Sequence, residues 1–174
     1  MVVTVNKSVV MGILIVGIVV VMVAAISIPL ILEPDPEVPF ETIHYGDACD
    51  NDTRGNHVIT DLESWQELWD RFAAGGFWPS SLPPPEVNFE TEVVIAVFQG
   101  GRPTTGYWTK ITRIAFNGTC YEIYIDETHP VNCSVLTSHT APHHIVKIPR
   151  VHQDVFQARF TYNFIKNNCE GTTG

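Results

Sequence analysis

Tyr107-Trp-Thr-Lys-Ile-Thr-Arg-Ile-Ala-Phe116, then Asn117-Gly118, then Thr119-Cys-Tyr-Glu-Ile-Tyr-Ile-Asp126 is the stretch on which the fold turns. Two β-rich runs flank an Asn-Gly pair, which is a two-residue hairpin signal because both residues tolerate positive φ. Side chains alternate across a strand, so Tyr121, Ile123 and Ile125 are expected to face a core, and Glu122, Tyr124 and Asp126 to face away. Upstream, Glu92-Val-Val-Ile-Ala-Val-Phe98 is short, β-branched and bounded by turns, and reads as a buried strand. Downstream, His144–Ile148 and Val155–Phe164 supply further strands, with Phe156, Ala158, Phe160, Tyr162 and Phe164 on one face of the last.

One helix interrupts this pattern. Thr60-Asp-Leu-Glu63 reads as a capping box, and Trp65, Leu68, Trp69 and Phe72 follow at helical spacing up to Gly75-Gly76. That aromatic stripe is expected to pack on a sheet. The proline-rich Pro79–Pro85 loop then leads into the first buried strand. One amphipathic helix among six or seven strands predicts an α+β fold, mostly β, built on an antiparallel sheet or sandwich.

The chain has 174 residues, and its first part differs in kind. Val9 to Leu32 carries no charged side chain. As a helix rising about 1.5 Å per residue it would span roughly 36 Å, enough for a hydrocarbon core of about 30 Å. The run is apolar on every face, whereas a soluble helix keeps a polar stripe. It is also longer than the apolar region of a cleaved signal peptide. Lys7 lies before it and Glu33-Pro-Asp-Pro-Glu37 after it, so the positive-inside rule places the amino terminus in the cytoplasm and the rest outside. The expected organisation is a leader over 1–8, a transmembrane anchor in the lipid bilayer over 9–32, a semi-rigid spacer over 33–39, an extracytoplasmic domain over 40–166 and a tail over 167–174.

Outside the anchor the chain is acidic: nine basic residues face 19 acidic ones once Lys7 is set aside. That balance argues against nucleic acid or anionic headgroups as partners. Cys49, Cys120, Cys133 and Cys169 all fall on the outer side, where disulfides persist, and none forms a C-x-x-C pair. Three pairings are open; Cys120 with Cys133 and Cys49 with Cys133 are both compatible with the strand pattern. Asn51, Asn117 and Asn132 begin glycosylation sequons on the same side.

Gln99-Gly-Gly-Arg-Pro-Thr-Thr-Gly-Tyr-Trp108 joins two strong strands. Its glycines open backbone conformations closed to other residues, so Arg102, Pro103, Thr104, Thr105, Gly106, Tyr107 and Trp108 are expected to project as a recognition loop. It lacks the spacing and lysine of a phosphate-binding loop.

Several of these segments, in order, resemble the PrcB family C-terminal domain. They are Val58 to Trp69, Pro85-Glu-Val-Asn-Phe89, Val93 to Val97, the Gly-Gly-Arg-Pro-Thr-Thr-Gly-Tyr107 loop and Thr140-Ala-Pro-His-His-Ile-Val146. The resemblance covers roughly 42–164. It implies a membrane-associated, non-catalytic subunit that binds an extracytoplasmic protein, a secreted protease or its precursor. The loop reads Thr-Thr-Gly-Tyr where the family more often has Thr-Gly-Gly-Tyr. In that departure it is similar to the loop that chagasin-type protease inhibitors wedge into a cleft, which leaves a surface inhibitor as the alternative.

Chemistry has weaker support. His139, His143 and His144 cluster in sequence with His129 and His152 nearby, which makes a metal-dependent enzyme a third alternative. No zinc-site spacing accompanies them, so no metal or cofactor is assigned. No G-x-S-x-G elbow is present, and Ser138 and His139 are sequence neighbours that a strand would point to opposite faces. The expectation is therefore no catalytic residue.

Overall fold

The computed structural model describes residues 35–49, 51–73, 83–150 and 157–168. The predicted leader and anchor, the predicted helix end at Gly75-Gly76, His152 and residues 169–174 of the tail, with Cys169, lie outside these residues. Among the described residues no helix is long and apolar enough to cross a membrane.

Seven strands and one helix follow in chain order: β1 Glu41–Gly46, β2 Gly55–Ile59, α1 Leu62–Ala73, β3 Glu92–Phe98, β4 Trp108–Phe116, β5 Tyr121–Val131, β6 His143–Pro149 and β7 Ala158–Asn168. They form a four-stranded sheet of order β1-β6-β3-β2 and a three-stranded sheet of order β4-β5-β7. The sheets face each other through Val93, Ile95 and Val97 of β3, Val146 and Ile148 of β6, and Ile111, Ile114, Ile123 and Ile125 of β4 and β5. The other face of β3 and β6 offers Val94, Ala96, Phe98 and Ile145 to Trp65, Leu68, Trp69 and Phe72 of α1. β3 is therefore buried on both faces, which is why its sequence is an unbroken apolar run. The aromatic stripe of α1 is core, and truncating Trp65 would cost about 3–5 kcal/mol.

Several expectations are corrected. The helix cap is Asp61: its carboxylate accepts from the Ser64 amide at 2.8 Å and the Ser64 hydroxyl at 2.9 Å. Thr60 instead offers its carbonyl to Arg150 Nη2 at 2.9 Å. The β4–β5 hairpin closes with Phe116 opposite Tyr121, so the loop spans four residues, 117–120. The Asn117 side chain causes this, because Oδ1 accepts from the Thr119 and Cys120 amides at 3.1 and 2.9 Å. Only Gly118 of that loop takes positive φ, at 91°. The sandwich is not wholly antiparallel, since β7 runs parallel to β5 from Tyr121↔Ala158 to Val131↔Asn168. β6 belongs to the opposite sheet, so the chain crosses layers before β7 and can re-enter beside the start of β5.

Boundaries shift for the same reason, that backbone groups need partners. The predicted spacer is partly docked: Val38 is buried, its amide donates to Ile114 O at 2.8 Å, and Phe116 N donates to Pro36 O at 3.0 Å. At the other end β7 continues two residues past the predicted domain limit. Glu122, expected to face away, is buried and held by Arg159 at 2.8 Å and by Asn117 Nδ2 at 3.1 Å. Cys49 and Cys120 are buried thiols, so neither compatible pairing of the sequence reading forms. The Cys49 Sγ donates to Ala141 O at 3.4 Å, deep beside α1 rather than near β5.

Candidate partner-binding surface

The loop between β3 and β4 begins where two glycines are needed. Gly100 has φ +81°, and a Cβ there would lie 3.0 Å from both Arg54 N and Asp52 O. That close passage lets Gly101 N donate to Asp52 O at 2.9 Å. Arg102 and Thr140 then exchange a pair of backbone bonds at 2.7 and 2.9 Å. Thr105 N donates to Leu136 O at 3.0 Å, Leu136 N to Thr105 Oγ1 at 3.1 Å, and Thr140 Oγ1 to Thr104 O at 3.0 Å. Gly106, at φ +91°, lets the chain close against Pro130 and Val135.

These bonds correct the picture of a projecting loop. The Arg102 guanidinium lies 5.2 Å over the Tyr107 ring, which meets His129 edge-on at 5.5 Å. Arg102, Thr104, Thr105, Gly106 and Tyr107 are all half-buried, and Arg102 Nη2 and Thr105 Oγ1 bond within the fold. Pro103 and Trp108 remain exposed. Trp108, 38% exposed, sits 5.8 Å from the ring of Tyr45, which is 42% exposed. Cross-strand register sets Trp108 beside Thr128, and Thr128 beside Ile165. The surface that emerges is an aromatic platform at one end of the β4-β5-β7 sheet, with the pinned loop as its support.

An ion pair between the exposed Arg54 and the buried Glu127 braces this end. Glu127 is 1% exposed and meets Arg54 through two contacts, Nη2–Oε1 at 2.8 Å and Nη1–Oε2 at 3.1 Å. Arg54 also stacks 4.9 Å over Tyr162, whose hydroxyl donates to Asn56 Oδ1 at 2.7 Å. Neither Arg54 nor Glu127 was expected to matter. Alternation along β5 was a usable signal, because it places Glu127 on the same inward face as Ile123 and Ile125.

The sequence cluster of histidines is dispersed by strand geometry. His143 and His144 point to opposite faces of β6. His143 Nδ1 donates to Ala141 O at 2.9 Å, so its Nε2 accepts from His44 Nδ1 at 2.7 Å. His144 Nδ1 accepts from the Ile111 amide at 2.9 Å and Nε2 donates to Thr42 Oγ1 at 3.0 Å. Burial pushes both imidazoles down to about 4, with neighbouring positive charge adding to the shift. His139 is exposed and paired with Asp52 at 2.6 Å, while His129 lies 3.3 Å from Gln99 Nε2. Among the described residues no group of three or more His, Cys, Asp or Glu is arranged to hold a metal ion. Of the sequons, Asn117 and Asn132 are exposed and Asn51 half-buried, but the Asn117 amide nitrogen is engaged with Glu122.

Residues 93–149, from β3 through β6, match the family model described as PrcB C-terminal. The resemblance read from the sequence therefore holds across the glycine loop, the hairpin and both core histidines; α1 and β7 lie outside the matched span. No curated protein and no solved structure matches the chain.

Proposed function

We propose, on the premise that residues 93–149 are those of a PrcB C-terminal domain, that this protein is a non-catalytic subunit that binds an extracytoplasmic partner of a protease complex. The observation that carries the reading is the exposed Tyr45–Trp108 pair, contributed by β1 and the start of β4, beside a loop whose backbone is bonded to Asp52 and to the 136–142 stretch. Aromatic side chains on a rigid support lose little entropy on binding, which is what an interaction anchor needs. The residues with catalytic potential support the same reading, since His143 and His144 are neutral, fully bonded members of the core.

In this proposal residues 9–32 anchor the chain in the membrane with the domain outside, as their uncharged length favours. Tethering raises the effective concentration of the domain near the membrane without adding contacts. Gentle detergent extraction followed by affinity recovery of the full chain tests it: a protease or its precursor should co-purify. A Tyr45→Ala/Trp108→Ala double variant should lose it. Equal recovery with that variant rejects the surface, and failure of the native chain to recover any partner rejects the function.

A further inference from the structure

β7 is the edge strand of its sheet, and among the described residues no strand pairs with its outer side. Such an edge offers a row of backbone donors and acceptors to an incoming chain. Two residues toward its end are unusually apolar for their exposure: Phe164 is 63% exposed and Ile165 37%. Two clefts flank this end. One is lined by Tyr45, Trp108, Thr128, Ile165 and Asn167, and the other by Tyr107, His129, Pro130, Phe164 and Lys166. Odd-numbered residues of β7 enter the first and even-numbered ones chiefly the second, as strand alternation requires.

We infer that this edge receives an extended, acidic segment of the partner protein as an added strand. The inference rests on the partner-binding reading above and names the chemistry of what is bound. An added strand would take its affinity from main-chain bonds and its specificity from side chains dropped alternately into the two clefts. Charge decides its composition. Lys110 and Lys166 line the clefts and form no ion pair among the described residues. The cleft carboxylate, Asp126, already accepts from Asn163 Nδ2 at 3.0 Å. The sequence of β7 holds Arg159 and Lys166 and no acid. Asp126 offsets Lys110 in the first cleft and Glu122 holds Arg159, so the unbalanced charge of this edge is Lys166, in a second cleft whose lining has no carboxylate, within a chain of net charge −9. A second copy of β7 brings no acid to meet Lys166, whereas an acidic strand neutralises it.

The test needs no knowledge of the natural partner. A phage-displayed library of random nonapeptides is selected against the full chain in mild non-ionic detergent. Selected peptides should combine apolar residues on both strand faces with Asp or Glu, and should slow hydrogen exchange of the β7 amides. Lys166→Glu, an exposed change that leaves the core intact, should weaken them about tenfold, the worth of one good charge contact. Phe164→Asp should abolish selection of the same family. Peptides without acidic bias, protection of another strand, or self-association that hides β7 would each overturn the inference. Recovery of the natural partner by both β7 variants would overturn it while leaving the partner reading intact.

Discussion

Acidifying the full chain from about pH 7 to about pH 5 reaches the two core histidines before most carboxylates begin to titrate. In the native state His143 and His144 are neutral, with burial holding each at about 4 against 6.5 when free. The unfolded chain therefore binds more protons across that window. Their contribution to stability is complete above about 6.5 and drains as the pH falls toward 4. At about pH 5 each histidine removes roughly 2 kcal/mol, roughly 4 together, a large part of a domain stability of about 5–15 kcal/mol. Burial lowers His44 and His57 as well, and they add in the same direction. The geometry gives the reason: a proton on His144 Nδ1 would confront the Ile111 amide that now donates to it across the two sheets. Urea unfolding followed by tryptophan fluorescence, repeated through this pH range, measures the effect. His144→Asn keeps an acceptor for Ile111 but cannot titrate, so about half of the pH dependence should disappear. A midpoint that ignores pH, or an unchanged slope in the variant, would refute the reasoning.

Gly100→Ala must place a Cβ 3.0 Å from two backbone atoms at φ +81°, and should cost about 3 kcal/mol or more. Gly118→Ala, at φ +91° with nothing within 4 Å, should cost only about 1 kcal/mol; equal losses in thermal unfolding would show that the close passage at Gly100 is immaterial. Arg54→Ala takes the guanidinium from the buried Glu127 carboxylate, which keeps His129 Nε2 at 3.7 Å; with Arg54 43% exposed the loss in urea unfolding should be about 1–2 kcal/mol, more than half of it restored by adding Glu127→Gln. Cys49 and Cys120 should react with iodoacetamide only after unfolding, since both thiols are buried. Cys133, whose Sγ lies 3.2 Å from Asn167 O, should map to Cys169 in non-reducing digests; a Cys120–Cys133 peptide would contradict the thiol assignment.

Periodicity made most of the architecture readable, because it reports which face of an element is dry. β3 was legible as a buried strand from Glu92 to Phe98 alone, and α1 from four aromatic and aliphatic residues at helical spacing. What periodicity cannot report is which backbone groups will need partners. The parallel placement of β7, the docking of Val38 along β4 and the four-residue hairpin loop are all answers to that question, set by non-local bonds or by one asparagine side chain.

The same distinction governs the candidate site. Arg102, Thr104, Thr105 and Tyr107 looked like recognition residues because polar groups in a glycine loop are usually available to solvent. Instead the backbone of these residues, with the Thr105 hydroxyl, holds the loop against 136–140, and Arg102 packs over the Tyr107 ring. Once they are so engaged, the contact surface must come from residues the loop supports rather than contains. Trp108 begins β4 with its ring outside the sheet, and β7 brings Phe164 and Ile165 beside it through pairing with β5. No local signal links positions 45, 108 and 165, since their proximity exists only after both sheets have formed. A loop pinned by its backbone beside an exposed aromatic edge is what an interaction scaffold requires, because its rigidity is in place before any partner arrives.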